Sequence, residues 1–356
     1  MAEKADARAV ADCLFAAFLD RGAVAVEADI LQPAEVLLDL YGEDIRARAY
    51  VTRDPVRGEM MLRPDFTVPV VQMHMTHGAE PARYAYRGEV FRKQEHLDGR
   101  KSEYLQVGYE VFARDNPSDA DAEIFALFAG LLKPLGLRAA TGDIGILMAA
   151  VRGLDTLGTR KAALLRHVWR PRRFTRLLDR FGGRAAPLPR ALPPEAKAAT
   201  RVGLRTRAEI EARLAALAED AAAPPIAAEQ VALLEDLLNL RAASPVALAN
   251  LRELARAMPA ITPAADRMEA RLDALTARGV DVAGLEFQAS HGRTTMEYYD
   301  GFVFSFHAAG AGLPPVASGG RYDALTAVLG QGRSIPAVGG VIRPGLVAEL
   351  GGLTGC

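Results

Sequence analysis

The chain has 356 residues, half of them apolar, with 43 Lys and Arg against 44 Asp and Glu and a formal charge of −1. At roughly 100–200 residues per domain this is enough for two or three domains, or for one large domain carrying an insertion. So even a charge balance gives no general attraction for nucleic acid or an anionic membrane, and no run reaches the ~18 uncharged apolar residues that a bilayer span needs.

The two cysteines, Cys13 and Cys356, are too few for a disulfide framework or a cysteine-based zinc site, a usage that suits a reducing compartment. The start, Met1 to Arg8, mixes both charges and has no apolar leader segment. The expectation is a cytoplasmic protein.

Val10, Cys13, Leu14, Ala17 and Phe18 form a helical stripe that ends at Gly22. Val24 to Pro33 reads as extended and Glu35–Tyr41 as a short helix. Strand candidates follow at Ala47–Thr52, Met60–Arg63, Arg83–Arg92 and Glu103–Ala113, separated by turn-rich pieces. So many consecutive strands imply an antiparallel sheet. A helix from Ser118, read as its N-cap, carries Asp119, Asp121 and Glu123 in its first turn and ends at Leu132; another covers Ile144–Leu154. Between about 156 and 280 strand signals vanish and Ala/Leu/Arg helices punctuated by prolines take over. Strand-like sequence returns at Leu285–Gln288 and Met296–His307, then the turn Ser318–Arg321 and a helix from Tyr322. The architecture expected is one α+β core, residues 1–155 and 281–356, interrupted by a helical insertion at 156–280.

On the strand Glu103–Phe112, alternation puts Leu105, Val107, Tyr109 and Val111 on one face and Gln106, Gly108 and Glu110 on the other. The second face is either solvated or lines a site, with Gly108 leaving room for a ligand over the backbone. In the partner strand, Tyr86, Gly88, Val90 and Arg92 share a parity. Arg92 is either a fork for a carboxylate or phosphate, or a surface arginine. Asp65 and Thr67 in Leu62-Arg-Pro-Asp-Phe-Thr67 sit just before a helical stretch, where the acid either holds an ammonium group or caps the helix.

In order and spacing, Leu31–Glu35, Leu62–Thr67, Tyr86–Arg92, Gln106–Glu110, Met296–Phe304, Gly319–Asp323 and Pro336–Gly340 resemble the class II aminoacyl-tRNA synthetase catalytic domain, specifically that of the histidyl-tRNA synthetases. The resemblance covers about residues 31–340 and implies an antiparallel sheet flanked by helices. It also implies a histidine pocket lined by Asp65, Thr67, Arg92, Gln106, Glu110, Tyr299 and Tyr322. Histidine offers an ammonium, a carboxylate and two ring nitrogens, which such residues match.

The departures from the family fall where ATP is held. Leu346 stands where the third motif carries the arginine that grips the γ-phosphate, and Arg343 lies three residues too early, followed by Pro344. Gln94 replaces a glutamate of the adenine region. Thr294 replaces an arginine important to activation, with Arg293 beside it as a partial substitute. The chain stops at Cys356, directly after the third motif, which leads to the expectation that it has no anticodon-binding domain. The pattern resembles the branch of this family formed by regulatory subunits of the short-form ATP phosphoribosyltransferase. That implies a non-catalytic chain without a cofactor or metal of its own, self-associating through the Leu31–Glu35 element. Its partner would be the short catalytic subunit and its effector histidine.

Arg160–Arg184 holds nine Lys and Arg against Asp179, interleaved with Trp169, Phe174 and Phe181. It reads as a polyanion contact, as the solvated face of an amphipathic helix, or as a surface for an acidic partner protein. His74 and His77 share a helix face but lack a third metal ligand nearby, so a structural or surface role is expected.

Overall fold

The computed structural model describes residues 4–35, 38, 48–94, 101–185, 206–293, 298–310 and 312–353. The first apolar stripe is helix α1 (Lys4–Leu19), which buries Ala7, Val10, Ala11, Leu14 and Phe18. It ends as its glycine suggests: Gly22 adopts φ +83°, and the Ala23 amide donates back to Phe18 O. Cys13, half-buried on this helix, is disulfide-bonded, so cysteine usage does not support the reading of a reducing compartment. Helix 35–41 falls largely outside the described residues.

The core strands are β1 (Val24–Ala25), β2 (Leu31–Pro33), β3 (Val51–Asp54), β4 (Gly58–Leu62), β5 (Ala82–Phe91), β6 (Glu103–Phe112) and β7 (Arg138–Asp143), with α2 (Thr67–His77) and α3 (Pro117–Leu132) between them. Helices α4 (Ile144–Arg152), α5 (Gly158–Arg166), α6 (Pro171–Phe181), α7 (Arg207–Ala222) and α8 (Ala228–Asn239) lead to β8 (Arg241–Ala243), α9 (Ser244–Ala257) and α10 (Thr262–Ala277). The chain then returns through β9 (Glu286–Gln288), β10 (Phe302–His307), β11 (Ala317–Arg321), α11 (Asp323–Leu329), β12 (Ala337–Ile342) and α12 (Pro344–Glu349).

Among the described residues the strands make a nine-stranded sheet, ordered β1-β5-β6-β12-β11-β10-β7-β9-β8, and a three-stranded sheet, β2-β4-β3. From β5 to β7 every pairing is antiparallel; β1 and β9 join in parallel. β12 lies between β6 and β11, so the ends of the chain's two strand-rich halves meet in the middle of one sheet. Strand β8 lies inside the stretch expected to be free of strands. Its sequence, Arg-Ala-Ala, has neither β-branched residues nor alternation to mark it, and pairing with β9 alone defines it.

One sheet face is an aromatic core. Phe18 stacks on Phe128 at 5.6 Å and meets Tyr109 at 5.2 Å, while Phe125 packs among Phe302, Phe304 and Phe306. Burying each such ring is worth roughly 1.5–3 kcal/mol.

Helix α3 begins differently from the sequence expectation. Asn116, at φ +47°, holds the N-cap position without a side-chain cap, and Ser118 Oγ instead donates to Arg267 O at 3.2 Å. Asp121 is no solvated dipole partner either. It is buried, paired with Arg271 of α10 at 3.2 Å and Arg321 of β11 at 2.7 Å, and Arg271 also reaches Asp143 at 3.0 Å. Asp143 in turn caps α4 by accepting from Gly145 N at 2.9 Å.

Candidate functional site

The other face of the central strands is not solvated. Gln106, Gly108 and Glu110 are all buried, Gln106 at 1% exposure and Glu110 at 0%. Glu110 is the hub. Its Oε1 accepts from the hydroxyls of Tyr86 at 2.8 Å and Thr67 at 3.2 Å, and its Oε2 accepts from Tyr322 at 2.5 Å. Tyr298 extends the chain by donating to Thr67 Oγ1 at 3.4 Å. Burial pushes the Glu110 carboxyl up to about 7; the three hydroxyls oppose that rise, and the nearby Asp65 charge adds to it. Burial, then the Glu110 charge, holds Tyr86 and Tyr322 well above the ordinary phenol range, so both remain donors.

Two glycines make this possible by close approach. A Cβ on Gly108 would lie 2.1 Å from the Tyr86 ring, and one on Gly339 would lie 1.3 Å from Glu110 Oε2. The space over Gly108 is thus taken by Tyr86, neither by solvent nor by a ligand, the two alternatives that the sequence left open. Tyr86 itself lies against Phe66 with ring centroids 4.5 Å apart.

Asp65 does not cap α2. Phe66 occupies the N-cap position and no side-chain cap bond forms there. The buried Asp65 instead lies close enough to Glu110, Tyr86 and Tyr299 to shift all three electrostatically. Arg92 is fixed beside it, its Nε donating to Pro64 O at 2.8 Å. Tyr299 is buried and held above its ordinary range by burial, with Glu110 and Asp65 adding to the rise and Arg92 opposing it. Gln106 Oε1 is a buried acceptor with no hydrogen-bond partner.

The structure therefore brings Asp65, Thr67, Arg92, Glu110, Tyr299 and Tyr322 together, with Gln106 on the same sheet face as Glu110. It adds Tyr86 and Tyr298, which sequence reasoning missed; the parity of Tyr86 with Gly88 and Arg92 was the available signal. The site combines the acids Asp65 and Glu110 with the Arg92 guanidinium, held through Pro64 O beside Asp65, a set of groups complementary to a small zwitterion with hydrogen-bonding nitrogens.

The residues that depart from the family at the expected ATP positions have the following surroundings. Leu346 packs, partly buried, against the hydrophobic core. Gln94 Nε2 ties the hairpin ends by donating to Arg92 O at 3.3 Å and Lys101 O at 3.4 Å. Thr294 lies outside the described residues. Arg293 does not substitute for it: its Nε donates to Val168 O at 2.7 Å, its guanidinium lies over Phe174, and burial lowers it to about 10.

The helical stretch touches the site directly. Trp169 Nε1 donates to Tyr299 O at 3.0 Å. In the basic stretch, Arg160 and Arg180 are consumed by Asp220, and Arg184 by Glu235. Arg172, Arg173 and Arg176 remain exposed on α6, the amphipathic-face reading. His74 is buried beside Tyr84 OH at 3.0 Å and stacked on Phe112, and no metal-binding cluster occurs among the described residues.

Comparison with known proteins places the chain in a family. A family model described as histidyl-tRNA synthetase matches residues 2–175 and 190–344. ATP phosphoribosyltransferase regulatory subunits of Brucella anthropi and Brucella ovis are each 32% identical over 347 residues, covering 90% of this chain and 91% of theirs. Among solved structures, an ATP phosphoribosyltransferase regulatory subunit/histidyl-tRNA synthetase from Bacillus halodurans superposes with TM-score 0.71 at 21% identity, covering 98% of this chain and 81% of that one. A histidyl-tRNA synthetase from Nostoc gives 0.66 at 18% identity, covering 98% and 72%. No helix among the described residues is long and apolar enough to cross a membrane. The chain belongs to the histidyl-tRNA synthetase family and, within it, to the group of the ATP phosphoribosyltransferase regulatory subunits.

Proposed function

We propose that this chain is a non-catalytic regulatory subunit. It binds the short catalytic subunit of ATP phosphoribosyltransferase, activates the condensation of ATP with phosphoribosyl pyrophosphate, and carries histidine feedback inhibition. In this reading the phosphoribosyl chemistry and its Mg²⁺ belong to the partner, and histidine occupies the pocket around Asp65, Thr67, Arg92, Gln106, Glu110, Tyr299 and Tyr322. The core at 1–155 and 281–356 houses the pocket, and the insertion at 156–280 senses it through Trp169.

What supports the reading is a buried acid organised by hydroxyls at the proposed histidine pocket, beside an apolar residue at the position that resembles the family's phosphate-gripping arginine. Glu110 is organised by three hydroxyls, whereas Leu346 turns an apolar side chain into the core where the synthetases place a cation. Regulation requires that histidine bind two states of the complex with different affinity, and the linkage is reciprocal: the catalytic subunit must alter histidine affinity by the same factor. Isothermal calorimetry of histidine against the chain tests the pocket, and ATP–pyrophosphate exchange with histidine tests the absence of activation. Saturable binding with exchange at background is expected. Exchange above background favours the alternative, a synthetase-like enzyme.

A further inference from the structure

The sheet face opposite Glu110 borders a second cavity. It is a cleft of about 870 Å³ between the turn after α1, the start of β5 and helix α3, joined by the residue that follows α10. That volume lies within the range of small-molecule sites, roughly 300–1,000 Å³. Successive residues of a strand point to opposite faces, so Tyr109 turns towards this cleft while Glu110 turns towards the proposed histidine pocket.

One face of α3 forms the wall. Ala126, Leu127, Gly130 and Leu131 recur at helical spacing and make it apolar, and it stays open at Gly130, where a Cβ would meet nothing within 4 Å. Glu123, on the same face, accepts from Arg83 Nε and Nη2 at 2.7 Å each and from the Tyr109 hydroxyl at 3.0 Å, so this guanidinium and this carboxylate offset one another. Arg278 is tied to Asp119 at 2.8 Å. Arg21 is exposed and pairs with no acid among the described residues, and Asp20, next to it in sequence, does not line the cleft. Three arginines therefore meet two acids, which leaves one positive charge beside an apolar wall.

We propose that this cleft is a binding site, separate from the histidine pocket, for a small apolar or aromatic carboxylate. The body of the ligand lies against the α3 face and its carboxylate takes a charge-assisted, forked hydrogen bond from Arg21. A surplus of one charge suits a single carboxylate better than a doubly charged phosphate. Because its groups come from the core on one side and from the end of α10 in the helical insertion on the other, an occupant bridges the two.

The test is calorimetry on the full chain with 2-naphthoate as probe, 2-naphthamide as its uncharged counterpart and acetate as the head group alone. Naphthoate is expected to bind saturably at one site, with naphthamide and acetate each weaker by about tenfold or more, the scale of one charged hydrogen bond or of a buried ring. Arg21→Gln should weaken naphthoate by about tenfold and leave naphthamide within about twofold, so that the ratio between the two collapses. That ratio is measured within one protein, and a general loss of folding does not imitate its collapse. Gly130→Phe, which places a ring in the open space against α3, should abolish binding of naphthoate, and saturating histidine should not displace it. The proposal is overturned if naphthoate shows no saturable binding, if the ratio survives Arg21→Gln, if Gly130→Phe binds as the wild type does, or if histidine competes with the probe, which would put the probe in the histidine pocket.

Discussion

The Tyr322 hydroxyl donates to Glu110 Oε2 at 2.5 Å across 212 positions of sequence, closing the site from the C-terminal half of the chain. The bond joins the first residue after β11 to the C-terminal part of β6. It holds only because β12 runs between those strands and presents Gly339 beneath the carboxylate.

Gly339→Ala should therefore disable the site without touching a polar group. The added methyl overlaps Glu110 Oε2, so the carboxylate must leave its hydroxyl donors. Histidine affinity is expected to fall at least about tenfold, the scale of one charged hydrogen bond. Gly345→Ala, whose Cβ would meet nothing within 4 Å, serves as the control and should bind normally. Calorimetry on both variants checks this, and equal affinities would count against a preorganised Glu110.

The ligand-free chain should lose stability as pH rises towards neutrality. Glu110 is raised from 4.5, and Asp300, which accepts from the Asp323 and Ala324 amides, is raised from 3.8; burial pushes each to about 7. The folded chain thus holds protons that the unfolded chain has released. The stability these groups contribute is fully present below their unfolded values and is lost as pH rises through about 7. His291, lowered to about 4 by burial, acts in the opposite sense between about 4 and 6.5. Glu110→Gln isolates one contribution: the drop in melting temperature from pH 5 to pH 8 should be smaller in the variant than in the wild type. An unchanged drop would mean that Glu110 titrates normally.

Trp169 is the only tryptophan in the sequence, so intrinsic fluorescence reports on its hydrogen bond to Tyr299 O. Histidine binding beside Tyr299 is expected to shift its emission, with a midpoint matching the calorimetric affinity. Trp169→Phe should leave the fold intact and weaken histidine by a few-fold. An emission spectrum indifferent to saturating histidine would show that the helical insertion does not sense the pocket.

The buried ion pairs of Arg271 predict a contrast in stability. Arg271→Met leaves Asp143 and one oxygen of Asp121 without their cation and should cost about 3–5 kcal/mol in denaturant unfolding. Arg252, bound to Asp266 and Glu269 at the surface, forms an exposed pair of the kind worth about 0–1 kcal/mol, so Arg252→Met should be nearly silent. Similar losses would deny Arg271 its structural role.

Alternation along Glu103–Phe112 was enough to assign Glu110 and Gln106 to one face and Tyr109 to the core, because period two is a local property of a strand. The motif order carried the other residues of the proposed pocket. What stayed hidden depended on distant partners: Ser118 and Asp121 look like helix-start residues until Arg267, Arg271 and Arg321 arrive from more than a hundred positions away. Arg293 was misassigned for the same reason, since nothing near it in sequence reveals Val168 and Phe174. Strand β8 had no pattern of its own to read. Gly108 showed that a close approach was needed but not whether a ligand or Tyr86 made it.

The most direct measurement is the condensation rate of ATP and phosphoribosyl pyrophosphate by the short catalytic subunit, alone, with this chain, and with this chain plus histidine. Addition of the chain is expected to raise the rate, histidine to bring it down again, and Glu110→Gln to blunt the histidine response while sparing activation. A rate indifferent to the chain and to histidine would contradict the regulatory function.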